Sequence, residues 1–311
     1  MCSAALSTWC TLLADAPVGV LVMAYGTPAT PADVEAYYTH VRRGRPPTEE
    51  QLADLQRRYE AIGGTSPLME RTEAQRLGIA AALSARGPFT VALGMKHAPP
   101  FIEDGVERLV EGGATRAVGV VLAPHYSRLS IGEYEERASA AAGERMEFAM
   151  VPSWYDSPAY LDALAERVQK ALASMPERTE VVFTAHSLPA RIINEGDPYP
   201  DQLRWTAEAV AERSGVDHWR VGWQSAGRTP EPWIGPDIGE VLDEVAAGDE
   251  ADGVLVCAAG FTSDHLEILY DLDVEASARA RNLGLAFART ASLNDDPRLC
   301  EAVAGAVLDH V

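Results

Sequence analysis

The chain has 311 residues, 47% of them hydrophobic and 23% charged, a balance that matches ordinary globular proteins and excludes disordered or membrane-embedded compositions. A formal charge of -20, from 46 acidic against 26 basic residues, repels phosphate backbones and anionic lipid at long range, so no nucleic acid partner and no membrane insertion are expected. With roughly 100–200 residues per domain as the usual size, this length fits two globular halves.

Residues 1–17 are rich in Ala and Leu but hold no Lys or Arg, so they lack the positive start of a secretory signal and are expected to form an N-terminal extension. Short β-branched runs follow at 18–25, 89–95, 117–124 and 147–152, and again at 180–186, 219–225, 252–260 and 283–289, with helical stretches between them. Continuous apolar runs of this length are buried strands, and their alternation with helices predicts parallel sheets. A helix expected around Leu161 to Ala173 divides the strands into two sets of four, giving an N-terminal half over 18–157 and a C-terminal half over 158–311. The predicted fold class is therefore α/β, with two Rossmann-like, doubly wound halves, each built on a four-stranded parallel sheet, facing a cleft.

In the first half, Arg42, Arg43 and Arg45 together with Arg58 surround a GGTSP turn at Gly63 to Pro67. On an acidic protein this is a local basic region, and planar guanidinium groups match carboxylates. Open parallel sheets collect ligands at the carboxyl ends of their strands. Just beyond those ends stand Tyr25, Lys96, His97, His125, Tyr126, His186, Gln224, Ser225 and the segment from Phe261 to Glu267. No G-x-G-x-x-G follows the first strand and no G-x-x-x-x-G-K-[ST] occurs, so a dinucleotide or nucleoside triphosphate has no phosphate cradle. The absence of G-x-S-x-G removes the case for a nucleophile at Ser187.

The segment DHLEILYDLDVEA is the most informative one. At ~100° per residue, a helix starting near Asp264 places Asp264, Glu267, Asp271 and Glu275 on one stripe. Like charges four apart disfavour an isolated helix by roughly 0.2–0.5 kcal/mol per pair, a repulsion that a bound cation or shared protons would relieve. Leu266, Ile268, Leu269, Tyr270, Leu272 and Val274 spread around the remaining circumference, so the helix is expected to be buried except along a carboxylate-lined channel. His186 at a strand end and Glu267 at another loop-to-helix junction form the candidate pair for chemistry. The four cysteines, Cys2, Cys10, Cys257 and Cys300, stand far apart with no C-x-x-C pair, which argues against a zinc knuckle or a disulfide framework and fits a reducing cytoplasm. Cys257, inside GVLVCAAG, reads as a small buried hydrophobe.

In order along the chain, VLVMAYGTP, YYTHVRRGRPP, RYEAIGGTSPL, GMKHAPPFIED, LAPHYS, SWYDSP, AHSLP, DPYPDQL, GWQS, PWIGPD and GFTSDHLEILYD resemble the ferrochelatases. The resemblance runs from about Gly19 through Glu275 and more loosely beyond, and within the family it is greatest to the monoderm bacterial branch acting on coproporphyrin III. It implies a chelatase-like fold and insertion of Fe²⁺ into coproporphyrin III to give coproheme in haem biosynthesis. A protoporphyrin IX ferrochelatase or a non-catalytic haem or porphyrin carrier are the alternatives. By the same resemblance His186 and Glu267 are the catalytic, metal-facing pair, and Asp271 and Glu275 continue an acidic line that conducts metal or protons. Tyr25 approaches the metal from the opposite porphyrin face, while Arg42, Arg58, Ser66 and Tyr126 match positions near the propionates. Coproporphyrin III and Fe²⁺, the latter as substrate, are the expected partners of a cytoplasmic monomer. No tightly bound cofactor is expected, with Mg²⁺ a candidate ion at the acidic helix, and no iron–sulfur cluster, since the cysteine cluster that holds one in some relatives is missing.

Overall fold

The run Val18–Ala24 forms strand β1, and successive side chains point to opposite faces of its sheet, as the two-residue period of a strand dictates. Val20, Val22 and Ala24 enter one core while Leu21 and Met23 enter another. Both faces are covered by helices, which is why the run is apolar throughout instead of alternating with polar residues. This computed structural model describes residues 16–227 and 229–311. The expected extension over 1–17 falls almost wholly outside the described residues, as do Cys2 and Cys10.

Strands β2 (Phe89–Met95), β3 (Arg116–Val121) and β4 (Glu147–Met150) join β1 in a four-stranded sheet of order β2-β1-β3-β4. Strands β5 (Thr179–His186), β6 (Trp219–Gln224), β7 (Gly253–Cys257) and β8 (Ala286–Arg289) form a second sheet of order β6-β5-β7-β8. Every neighbouring pair is parallel. The two sheets thus repeat one topology, and in each the chain reverses its direction of winding beside its first strand. Such a switch point leaves a crevice at the carboxyl ends of the strands.

Three layers of side chains hold the sheets. The outer face of the first sheet packs on helices Ile102–Glu111 and Ile131–Ala142 through Val106, Leu109, Ile131 and Tyr134. The outer face of the second packs on helices Ile238–Ala247 and Ser277–Leu283 through Val241, Leu242 and Ala280. One continuous core lies between the sheets, where Val22 and Val181 share a cluster with Ile79, Leu161, Leu203 and Val303 from the helices Leu68–Ser84, Pro158–Leu172, Tyr199–Ser214 and Pro297–Leu308. Cys257 belongs to this layer and is fully buried. The last helix reaches back to the first half: a Cβ on Gly78 would lie 2.4 Å from the Cys300 sulfur, so any larger residue there would force the Cys300 side chain to turn away.

One expected element differs. No α-helix begins at Asp264; His265 is extended, an α-helical turn occupies Leu266–Leu269, and Asp271–Ala276 is π-helical before α-helix resumes at Ser277. The Glu275 amide donates to the Tyr270 carbonyl five residues back, at 2.9 Å, widening the turn. A 100° period therefore does not apply across this segment, and the four carboxylates do not share one stripe.

Candidate active site

The two switch points open on one cavity of about 470 Å³, lined from both halves. That size lies within the range of small-molecule sites. β1 delivers Tyr25 and β2 delivers Lys96 and His97 on one side; β5 delivers His186, and the turn after β7 delivers Phe261, His265 and Glu267 on the other. Close packing sets the second wall. A Cβ at Gly260 would stand 2.4 Å from the Ala185 Cβ, so glycine lets the turn after β7 lie directly against the strand that carries His186.

His186 Nδ1 lies 2.6 Å from the Ser187 carbonyl oxygen. A carbonyl only accepts, so Nδ1 carries the hydrogen and the lone pair resides on Nε2. Burial lowers the pKa of His186 in spite of the opposing pull of Glu267, which keeps the ring neutral and its Nε2 able to take a proton or a metal. Tyr199 donates to the His186 carbonyl at 3.0 Å and fixes the strand end.

Glu267 does not hydrogen-bond His186; its carboxylate meets His265 Nε2 at 3.1 Å. Since His265 Nδ1 faces the Ser263 carbonyl at 2.8 Å, it holds the ring hydrogen of the neutral form. Nε2 is thereby turned to the Glu267 carboxylate, and the two side chains stand as one imidazole–carboxylate unit on the cavity wall. The Gln224 amide donates to the Glu267 carbonyl at 3.0 Å, and its own oxygen accepts from Thr184 at 2.8 Å, anchoring this unit to β5 and β6.

On the facing wall, Tyr25 is 41% accessible and opens into the cavity, where desolvation and then the charges of Glu267 and Glu133 raise its pKa. Tyr25 packs on His97 with ring centroids 4.5 Å apart, and His97 Nδ1 meets His40 Nδ1 at 3.0 Å. Burial, reinforced by Lys96, pushes His97 down to about 3. Ser66 also lines the cavity and accepts from the Leu68 amide at 3.3 Å.

The remaining predicted residues stand elsewhere. Arg42 lies over the Tyr38 ring at 5.6 Å and donates to the Arg45 carbonyl at 3.2 Å, and it is the neighbouring Arg43 that lines the cavity. The Tyr126 amide donates to Gln202 at 2.7 Å, and its side chain packs among the outer core of the first half. Asp264 is turned away from Glu267: although burial pushes its pKa up, hydrogen bonds from Asn294 and Ser292 and the charge of Arg289 hold it low.

Arg58, Asp271 and Glu275 line a second, smaller cavity of about 350 Å³ together with Asp237 and Arg279. Asp271 accepts from Ser225 and lies 3.6 Å from Arg58, whose guanidinium also sits over the Tyr270 ring at 5.0 Å. Burial pushes Asp271 up to about 7 against the hydrogen bond from Ser225. Among the described residues no group of three or more His, Cys, Asp or Glu side chains converges as a metal cage requires. Lys96, His97 and His265 line the cavity from the strand ends where the sequence places them, though without an assigned role, whereas Glu133 is a cavity residue that no sequence feature marks.

Two repeated four-stranded parallel sheets with opposed switch points define a chelatase-type α/β protein. Two solved structures share that fold: the sirohydrochlorin chelatase SirB of Bacillus subtilis subspecies spizizenii in complex with cobalt (TM-score 0.55, 15% identity, 94% of each chain) and CbiX, the terminal enzyme for biosynthesis of siroheme in denitrifying bacteria (TM-score 0.54, 14% identity, 94% of this chain and 99% of that one). The ferrochelatase family model matches residues 17–311. The coproporphyrin III ferrochelatase of Geobacillus kaustophilus is 46% identical over 299 residues, covering 93% of this chain and 95% of its own, and that of Bacillus subtilis strain 168 is 42% identical over 300 residues, covering 94% and 97%. The chain belongs to the ferrochelatase family and is a metal chelatase.

Proposed function

We propose that this enzyme inserts Fe²⁺ into coproporphyrin III, yielding coproheme and releasing the two pyrrole protons. The names of the relatives support the choice of porphyrin. The observation that carries the chemistry is the unprotonated Nε2 of a neutral His186 on the same cavity as the His265–Glu267 unit. Metal insertion needs acceptors for two protons: His186 takes one through Nε2, and the Glu267 carboxylate beside His265 takes the other. Imidazole and carboxylate together suit borderline Fe²⁺ and, with no third strong ligand closing the site, hold it loosely enough to hand it on.

Planar pyrrole nitrogens resist an incoming ion, so the ring must bend, and contacts to its carboxylates supply that distortion from remote binding energy. Tyr25 faces the opposite side of the ring from His186 in this reading. Asp271 and Glu275 pass cations toward the cavity from the smaller one; a Mg²⁺ ion there would keep its water shell, since these residues form no closed cage. The protein works in the cytoplasm as a monomer. No helix among the described residues is long and apolar enough to cross a membrane. The deciding experiment is anaerobic addition of Fe²⁺ to the enzyme with coproporphyrin III, followed by absorbance. The spectrum should convert to that of the metalloporphyrin at a rate proportional to enzyme; an unchanged rate with and without enzyme sinks the proposal.

A further inference from the structure

The cavity wall formed by the first half contains a cation pair that already has an anion. Lys96 leaves the end of β2 and is 8% exposed, with its ammonium 5.0 Å from the centre of the Tyr134 ring. Its Nζ meets Glu133 Oε2 at 2.5 Å, and the other oxygen of that carboxylate accepts from Arg43 at 2.9 Å. All three side chains line the main cavity. Arg137 pins the Lys96 backbone by donating to its carbonyl at 2.6 Å.

The burial of this triad is uneven. The Lys96 side chain is 10% exposed, whereas that of Glu133 is 34% exposed and that of Arg43 is 80% exposed. A buried ammonium cannot be left without an anion, because desolvation of the bare charge is costly. Desolvation does press Lys96 toward its neutral form, and Glu133 opposes it. The lysine is therefore fixed and in permanent need of a carboxylate, while the carboxylate serving it is on the solvent side and can rotate out on its own helix. Arg43, on the rim, can follow either partner.

We propose that Glu133 and a carboxylate of the substrate compete for Lys96 and Arg43, so that Glu133 lowers the affinity of the cavity for carboxylated porphyrins and favours release of the metallated product. The inference rests on the reading above, that the substrate carries several carboxylates. A protein of net charge -20 would otherwise gain by leaving its cavity cations unpaired, and instead it places an acid on them. The exchange conserves ion pairs: one carboxylate leaves the ammonium as another arrives, so binding does not require bare Lys96 at any stage.

The test is titration of coproporphyrin III by fluorescence quenching with wild type, Glu133→Gln, Lys96→Met and the double variant. Glu133→Gln should tighten binding about tenfold, equivalent to ~1.4 kcal/mol. Lys96→Met should weaken it by a similar factor, and adding Glu133→Gln to Lys96→Met should then change affinity less than about twofold. Unchanged or weaker binding by Glu133→Gln overturns the proposal. So does a tightening that persists in full without Lys96, since that is long-range repulsion and not competition. Glu133→Ser removes the same charge and replaces the glutamine variant if the latter does not fold, as judged by thermal unfolding. Failure of the wild type itself to bind coproporphyrin III would overturn the underlying substrate reading, whereas normal wild-type metallation with an unaltered Glu133→Gln affinity overturns this inference alone.

Discussion

The two walls of the main cavity are made by the same topology and hold their polar groups by opposite means. On the wall of the second sheet, His186 and His265 each give their Nδ1 hydrogen to a backbone carbonyl one or two residues away, and the Gln224 side-chain amide ties Glu267 to the sheet by donating to the Glu267 backbone carbonyl. Backbone partners cannot leave, so tautomer and ring orientation are fixed before anything binds. On the wall of the first sheet, Lys96 and Arg43 are held by one side-chain carboxylate, and His97 by another imidazole. Side-chain partners can be exchanged. Proton and metal transfer need the first kind of holding, and admission of a charged ligand is served by the second.

The largest expected effect tests the fixed wall. His186→Ala removes the only lone pair that the Ser187 contact orients toward the cavity, and metallation should fall by roughly 10²–10⁴-fold while the porphyrin Kd stays near that of wild type. Near-normal iron insertion by this variant would remove the distinction between the walls. A smaller effect concerns Asp271, on the proposed cation route behind Glu267. Its folded pKa of about 7 is raised above the unfolded value, so the native state binds the extra proton and the protein loses stability as pH rises from ~4 to ~7. Asp271→Asn removes that slope: unfolding at pH 5 and pH 8 should differ less in the variant than in wild type, by roughly 2–4 kcal/mol. An identical pH dependence in both proteins would mean that the carboxyl is solvated, and that this route is open to bulk water. The smallest effect sharpens the exchangeable wall. Arg43→Gln changes a side chain that is 80% exposed, so thermal stability should move by less than about 0.5 kcal/mol, while coproporphyrin binding weakens and becomes less sensitive to salt. A large loss of stability would place Arg43 among the structural residues.

All eight strands are legible in the sequence: the central ones, such as VGVLVMA, are covered on both faces and apolar throughout, and the partly exposed edge strands EFAM, WRVGWQ and AFAR are found by their place in the strand–helix alternation. The strand-end rule likewise finds His186 and Tyr25, since a parallel sheet has only one edge where loops can gather ligands. The acidic stripe is different. Its assignment assumes one helix of 3.6 residues per turn from Asp264 onward, but His265 is extended, which separates Asp264 from Glu267, and no propensity marks the π-helical turn over Asp271–Ala276, whose Asp271 and Glu275 line another cavity. Glu133 is illegible for another reason. Within IGEYEER it looks like any solvated helix face, and its partners Arg43 and Lys96 are distant in sequence and come together only in the folded chain. Placement of Arg42 and Arg43 is a matter of one residue: Arg43 has a φ of 55°, and this left-handed turn aims it, not Arg42, at the cavity.

The helix Pro297–Leu308 carries a consequence for biosynthesis. Its Leu299 and Val303 seal the same apolar layer as Ile79 and Leu83 of the first half, so that layer is not completed until the ribosome has released residues out to Leu308. Domain-by-domain maturation during translation is thereby denied to the first sheet, and a chain cut just before Pro297 should be captured by chaperones or proteases as an unfinished whole, with both halves affected together.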